Sequence, residues 1–281
     1  MTDLRTPPVD GGDLFSERAR QYALEKPLQR IHILEAGCGW GTGLDLGDRA
    51  RVVTGVDMDV PELRAYTCER TDLDSWHLGD LRTVPLPPRS YDVVHASYLI
   101  ERVAHAELVL DRFVAALKPG GLLLVRLRDR DTAYGFLDRT LPRRLRPARG
   151  RRSRRLGPGR APRGAHARVE PAGAVPSAGP APAEPMPAPG PATPATPPAP
   201  PAVYDRVASW RGLRSYCTMR GLMVVEEYTS RASLEGLGAG TGPADLLCRL
   251  VSLSTHGRLT AAHSDVMLVV RKPENRFARV I

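Results

Sequence analysis

The stretch Ile33-Leu34-Glu35-Ala36-Gly37-Cys38-Gly39-Trp40-Gly41 decides the fold. An apolar run of strand length ends in Gly-x-Gly-x-Gly. Glycine tolerates the tight turn there and lets the backbone pass close beneath a ligand. The pattern predicts a helix opening near Gly41 and running to Leu46, with its N-terminal N–H groups turned toward that ligand. The dinucleotide fingerprint Gly-x-Gly-x-x-Gly would need glycine at position 42, where Thr42 stands, and counts begun at Gly39 or Gly41 meet Leu44 or Leu46. No Gly-Lys-Ser/Thr follows a glycine loop either. Pyrophosphate and Walker-type sites are disfavoured.

Outward from this stretch, short apolar runs alternate with amphipathic ones. Asp13–Leu24 reads as an amphipathic helix and Ile31–Ala36 as the first strand. Arg51–Val56 is a second strand and Pro61–Arg70 a helix with proline in its first turn. Trp76–Leu78 and Tyr91–Ala96 are strands, Val103–Leu117 is a helix, and Gly120-Gly121 turns into a fifth strand at Leu122–Leu127. Strands alternating with helices make a parallel sheet covered on both faces. Later, Asp205–Arg220 reads as a helix, Leu222–Tyr228 as a strand, Asp245–Leu253 as a helix and Val266–Arg271 as a closing strand. These last pieces are too few for a separate domain, so they are expected to complete the same sheet. The fold expected is α/β, a Rossmann-like, seven-stranded, mostly parallel sheet with helices on both faces.

The second strand ends at Val56-Asp57-Met58, with Asp57 twenty residues past Gly37. A carboxylate at that strand tip can accept both hydroxyls of a ribose. A third strand end carries Leu78-Gly79-Asp80-Leu81. Together these describe a site for a nucleoside without a phosphate partner.

In this order, the glycine loop, Asp57, Gly79-Asp80, Tyr91-Asp92-Val93-Val94 and Leu117-Lys118-Pro119-Gly120-Gly121 resemble the class I S-adenosylmethionine-dependent methyltransferases of the small-molecule type. The resemblance covers residues 31–128. It implies S-adenosylmethionine as cofactor, with Gly37, Gly39 and Gly41 beneath its methionine and ribose parts and Glu35 orienting the methionine amino end. It further implies Asp57 on the ribose diol, Met58 on the adenine face, Asp80 and the Leu81 N–H at the adenine edge, and Ser97 lining the pocket. Ala96-Ser97-Tyr98-Leu99-Ile100-Glu101-Arg102-Val103 resembles a family stretch often reading Leu-Glu-His-Val, but Arg102 and Tyr98 stand where histidines are common. Tyr98, Glu101 and Arg102 are therefore the candidates facing the acceptor. Cys38 and His95 read as core residues and Asp92 as a brace.

The chain has 281 residues, 27 prolines, four cysteines and a formal charge of +9. Twelve arginines and no acid lie between Arg139 and Arg168, and removing those twelve charges from +9 leaves −3 for the rest. Bulk charge therefore does not argue for a polyanion partner, although Arg143–Arg168 could make weak, unselective contacts with one. Seventeen of the prolines lie between Pro142 and Pro201, in Ala- and Gly-rich sequence expected to be a disordered tether. The organisation expected is an N-terminal helical cap at 1–30, the cofactor-binding core at 31–141, the Arg- then Pro/Ala-rich insertion at 142–202, and a C-terminal part at 203–281. Asp131–Leu137, Tyr204, Trp210 and the Asp13–Leu24 helix are expected to lid an acceptor pocket.

The four cysteines form no CxxC pair or metal cluster, so a reduced cytoplasmic setting without bound metal is expected. The opening Met1–Pro8 lacks the apolar centre of a signal peptide, and no apolar stretch is long enough to span a membrane. The expected activity is methyl transfer to oxygen or nitrogen of a small molecule. An RNA or protein methyltransferase docking through the basic insertion, and a catalytically idle cofactor-binding partner protein, are the alternatives.

Overall fold

A computed structural model describes residues 13–39, 41, 43–141 and 202–274. Seven strands form one sheet: β1 (Ile31–Ala36), β2 (Arg51–Asp57), β3 (Ser75–Leu78), β4 (Tyr91–Ser97), β5 (Leu117–Arg128), β6 (Met223–Ser230) and β7 (Asp265–Arg271). Their order is β3-β2-β1-β4-β5-β7-β6. The first five are parallel, while β7 runs antiparallel to both β5 and β6. The chain after residue 201 thus completes the sheet begun before the insertion. The Arg- and Pro/Ala-rich insertion itself lies outside the described residues.

Alternation along each strand splits the core into two layers. Leu34 and Ala36, Val94 and Ala96, Leu123 and Val125, and Leu268 and Val270 face one side. There they meet α3 (Ala106–Ala116) through Val109, Leu110 and Phe113, and α5 (Trp210–Met219) through Leu213, Tyr216 and Cys217. Ile31, Ile33, Val93, Leu122, Leu124, Met267 and Val269 face the other side. Burial on both faces is why these strands read as continuous apolar runs.

On that second face lies α1 (Leu14–Leu24), whose Leu14, Phe15, Ala19, Tyr22 and Ala23 are buried in the same cluster. Asp13 caps it by accepting the Ser16 N–H. Its apolar side is spent on the sheet, so α1 is a layer of the fold more than the lid its amphipathic pattern suggests. The expected helix from Gly41 to Leu46 is absent, since residues 43–46 are irregular. Only fourteen residues separate Ala36 from Arg51, and Gly47, at φ 61°, turns the chain with its N–H on the Asp45 carboxylate. Too little chain remains for a helix and two connections. The proline-opened α2 (Pro61–Glu69) forms as its sequence indicates.

At the amino edge of the sheet, the buried Asp92 accepts from Lys26, Lys118, the Tyr22 hydroxyl and the His32 N–H. Burial alone would raise its pKa, but the two ammonium groups and the N–H outweigh it and hold the carboxyl below its usual range. This brace joins α1, β1, β4 and the start of β5. We expect Asp92→Ala to lower the unfolding free energy by about 3 kcal/mol in a urea titration, because it strands several donors at once. A loss under about 1 kcal/mol would show that the lysines find water at no cost.

Candidate functional site

Register places four strand ends level. Ala36 pairs with Val56 on one side and Ala96 on the other, and Asp57 pairs with Leu78. Gly37, Asp57-Met58, Gly79-Asp80 and Ser97-Tyr98 therefore leave the sheet along one edge. The strand order reverses between β1 and β4, which opens a crevice at this edge.

Gly37 turns off β1 at φ 81°, a conformation that favours glycine, and its N–H bonds the Val56 carbonyl at 2.8 Å. Gly39 then donates its N–H to Asp57 Oδ2 at 2.8 Å, and Met58 donates to Asp57 Oδ1 at 2.8 Å. A Cβ at position 39 would crowd Leu63 and Asp57 at 2.9 and 3.1 Å. Asp57 is buried, and burial pushes its pKa up to about 6 against the opposing pull of those two N–H groups and the charge of Arg102. A carboxylate offers about four acceptor positions. Two remain beyond these backbone bonds.

Asp80 is exposed at the third strand end, where the Arg82 side chain and N–H bring its carboxyl down to about 2. It lines a cavity of about 560 Å³ with Leu78, Gly79, Val84 and Trp76. The Cβ side of Gly79 is open, with nothing within 4 Å. Leu81 is buried beneath this turn, and Ser97 is half-buried at the end of β4.

Glu35 reaches the edge in a way the motif alone does not reveal. Both of its oxygens accept from the Arg70 guanidinium, at 2.7 and 3.0 Å, and the pair is almost fully buried. Arg70 also donates to the carbonyls of Cys38 and Gly41 and to Asp72. A Cβ on residue 41 would collide with the Glu35 carboxylate, so Gly41 leaves room for this ion pair. No sequence signal marks Arg70, which sits one residue beyond α2. Its role follows only from where that helix ends.

Tyr98, Glu101 and Arg102 come together in the turn between β4 and α3. Tyr98 holds φ 57° and donates its N–H to the Arg126 carbonyl, while its own carbonyl accepts from Arg102 Nε at 2.8 Å. Glu101 is completely buried, and among the described residues neither carboxylate oxygen has a hydrogen-bond partner. Burial raises its pKa against the charges of Arg128 and Arg102. Arg128, at the end of β5, lies over the Tyr98 ring at 5.5 Å and pairs with Asp138 of α4 (Ala133–Thr140). Asp138 also accepts from the Tyr204 hydroxyl at 2.8 Å. Arg128, Asp138 and Tyr204 build this cluster from three separate segments, and composition gave Arg128 and Asp138 no prominence. Trp210 instead donates to Glu227 on β6. His95 packs edge-on against Phe15, and burial drives the Cys38 thiol up to about 12; neither is placed for chemistry.

A methyltransferase-domain family model matches residues 13–174, more than half of the chain. A Mycolicibacterium smegmatis protein named "Probable S-adenosylmethionine-dependent methyltransferase" is 38% identical over 136 residues, which are 47% of this chain and 52% of that protein. The malonyl-[acyl-carrier protein] O-methyltransferase of Serratia marcescens is 28% identical over 39% of this chain and 49% of its own. The chain thus spans about half the length of these curated relatives. In fold, it is similar to the methyltransferase solved with the Haloferax volcanii Trm112 methyltransferase activator, at TM-score 0.51 and 15% identity over 93% of this chain and 92% of that one. No helix among the described residues is long and apolar enough to cross a membrane. With the glycine loop, its buried acid and the strand order all in place, this chain belongs to the class I S-adenosylmethionine-dependent methyltransferases.

Proposed function

We propose that this protein transfers a methyl group from S-adenosylmethionine to an oxygen or nitrogen of a small molecule. One observation carries the reading: the glycine loop, Asp57 and Asp80 leave level strand ends at the switch point, and Asp57 keeps two acceptor positions beyond its backbone bonds. That acceptor set fits a ribose diol. Asp57 would hold it, Met58 would pack on the adenine, and Asp80 with the Leu81 N–H would meet the adenine edge. Gly37, Gly39 and Gly41 would lie beneath the methionine and ribose parts, Glu35 would orient the amino end, and Ser97 would line the pocket. The cofactor supplies an electrophilic methyl group on a sulfonium.

What remains for the protein is to hold the acceptor in line and accept a proton where one is lost. Tyr98, Glu101 and Arg102 stand on the acceptor side. Glu101 is the group suited to take that proton at its carboxylate, because its oxygens have no competing partner among the described residues. Burial raises its pKa and opposes the charged form it must adopt first, while the charges of Arg128 and Arg102 pull toward that form. The Serratia marcescens relative, named for methyl transfer to an oxygen of malonyl-[acyl-carrier protein], supports an oxygen acceptor for this chain. A screen of candidate acceptors with labelled S-adenosylmethionine tests the activity, and no transfer to any acceptor class would count against it.

Asp57→Ala should weaken S-adenosylhomocysteine binding by about 2–3 kcal/mol in calorimetry, through loss of charge-assisted hydrogen bonds. The same site sets a pH dependence. Hydroxyl donors favour the ionised Asp57, whose pKa is about 6, so affinity should rise between pH 5 and 7 and then level off. Asp57→Asn should flatten that profile; an unchanged slope would remove Asp57 from the ribose. Glu101→Gln should cut kcat about a hundredfold or more while leaving S-adenosylhomocysteine affinity unchanged. A variant with unaltered kcat would show that Glu101 moves no proton.

A further inference from the structure

Six hydrogen bonds leave one guanidinium. Arg70 donates to both Glu35 oxygens, to the carbonyls of Cys38 and Gly41, and to both oxygens of Asp72. All of these partners except Asp72 belong to the glycine loop or to the strand residue that leads into it. In a loop followed directly by a helix, carbonyls at positions such as 38 and 41 would accept from N–H groups four residues on. Here residues 43–46 are irregular, so the Gly41 carbonyl lacks a helical N–H. From the backbone of the described residues, the Cys38 carbonyl accepts only the long turn bond of the Gly41 N–H, at 3.4 Å. Arg70 supplies a donor to both from the far end of α2. Gly41 and Gly43 give it room, since a Cβ at 41 would strike Glu35 and one at 43 would lie 2.6 Å from Asp72 and 3.1 Å from Arg70 Nη2.

We propose that Arg70 is the positioning residue of the cofactor site. It takes the place of the missing helix turn and fixes the glycine loop in the shape that receives the amino-acid end of S-adenosylmethionine. The inference rests on the cofactor reading above and adds which half of the ligand the device serves. Glu35 and Asp72 carry two negative charges against one on Arg70, leaving a net negative group beneath the loop that complements the methionine α-ammonium. The adenosine half depends chiefly on Asp57 and Asp80, neither of which Arg70 touches; the loop reaches it at the Gly39 N–H bond to Asp57. A lysine cannot substitute, because its point charge lacks the planar fork that bridges a carboxylate and two carbonyls together.

Calorimetry on the full chain with two probes separates the possibilities. S-adenosylhomocysteine carries the amino-acid end, and 5′-methylthioadenosine lacks it. For R70K we expect S-adenosylhomocysteine to bind about tenfold or more weakly, with methylthioadenosine affinity within about twofold of wild type. E35Q should show the same split in smaller measure. R70M should match or exceed R70K; if it fails to fold by circular dichroism, R70K and E35Q still decide. S-adenosylhomocysteine affinity within twofold of wild type in R70K would overturn the proposal. So would an equal loss for both probes, which would make Arg70 a general strut. If wild-type protein bound neither probe, the cofactor reading would fail first and the proposal with it.

Discussion

A carboxylate buried at the end of an apolar strand is costly unless donors surround it. Asp57 meets that demand with two backbone N–H groups, one from the glycine loop and one from its own strand end. The bond to Gly39 is also what folds the loop down over β2. One interaction therefore satisfies a buried charge, closes the first strand turn onto the second strand, and leaves acceptor positions on the carboxylate. The parallel register of β1, β2 and β3 makes this useful, because it brings Asp80 and the loop to the same edge. The proposed nucleoside site thus grows out of meeting the solvation needs of one acid.

The far side of the edge is organised differently. Arg128 and Asp138 precede the insertion, while Tyr204 and Ser233 follow it, yet all four join in one buried polar group. Tyr204 and Val203 also donate their N–H groups to the Glu101 carbonyl. The segments flanking the insertion are thus tied by hydrogen bonds as well as by the sheet. Arg128 is balanced by Asp138 and stacked on Tyr98, so little of its charge is left bare. Glu101 differs: it lies in the field of two arginines but has no hydrogen-bond donor among the described residues. The glycine-loop side is tied together by backbone N–H groups, whereas the turn after β4 holds a buried carboxylate in the field of two arginines.

Most strands were legible because burial on both faces leaves apolar runs that no helix or loop produces. The acids at their ends were legible because polar residues closing such runs need a reason to be there. The helix expected after Gly41 was not realised, since periodicity over six residues says nothing about the length left to reach β2. The position of β7 between β5 and β6 was equally hidden, for pairing partners far apart in sequence leave no local mark. Asp80 was readable as a strand-end acid, but its clasp by Arg82 was not.

The chain's own order of residues determined a parallel α/β sheet, a glycine loop too short for a dinucleotide, and acids at two further strand ends. Those properties are local: hydrophobic period, glycine spacing and the cost of an isolated charge act within a few residues. Tertiary structure alone decided that Arg70 would stand under the loop and that Arg128 would meet residues from both sides of the insertion. Hydrogen bonds form where folded elements end in space, and for these arginines that place is set by the packing of whole helices and strands.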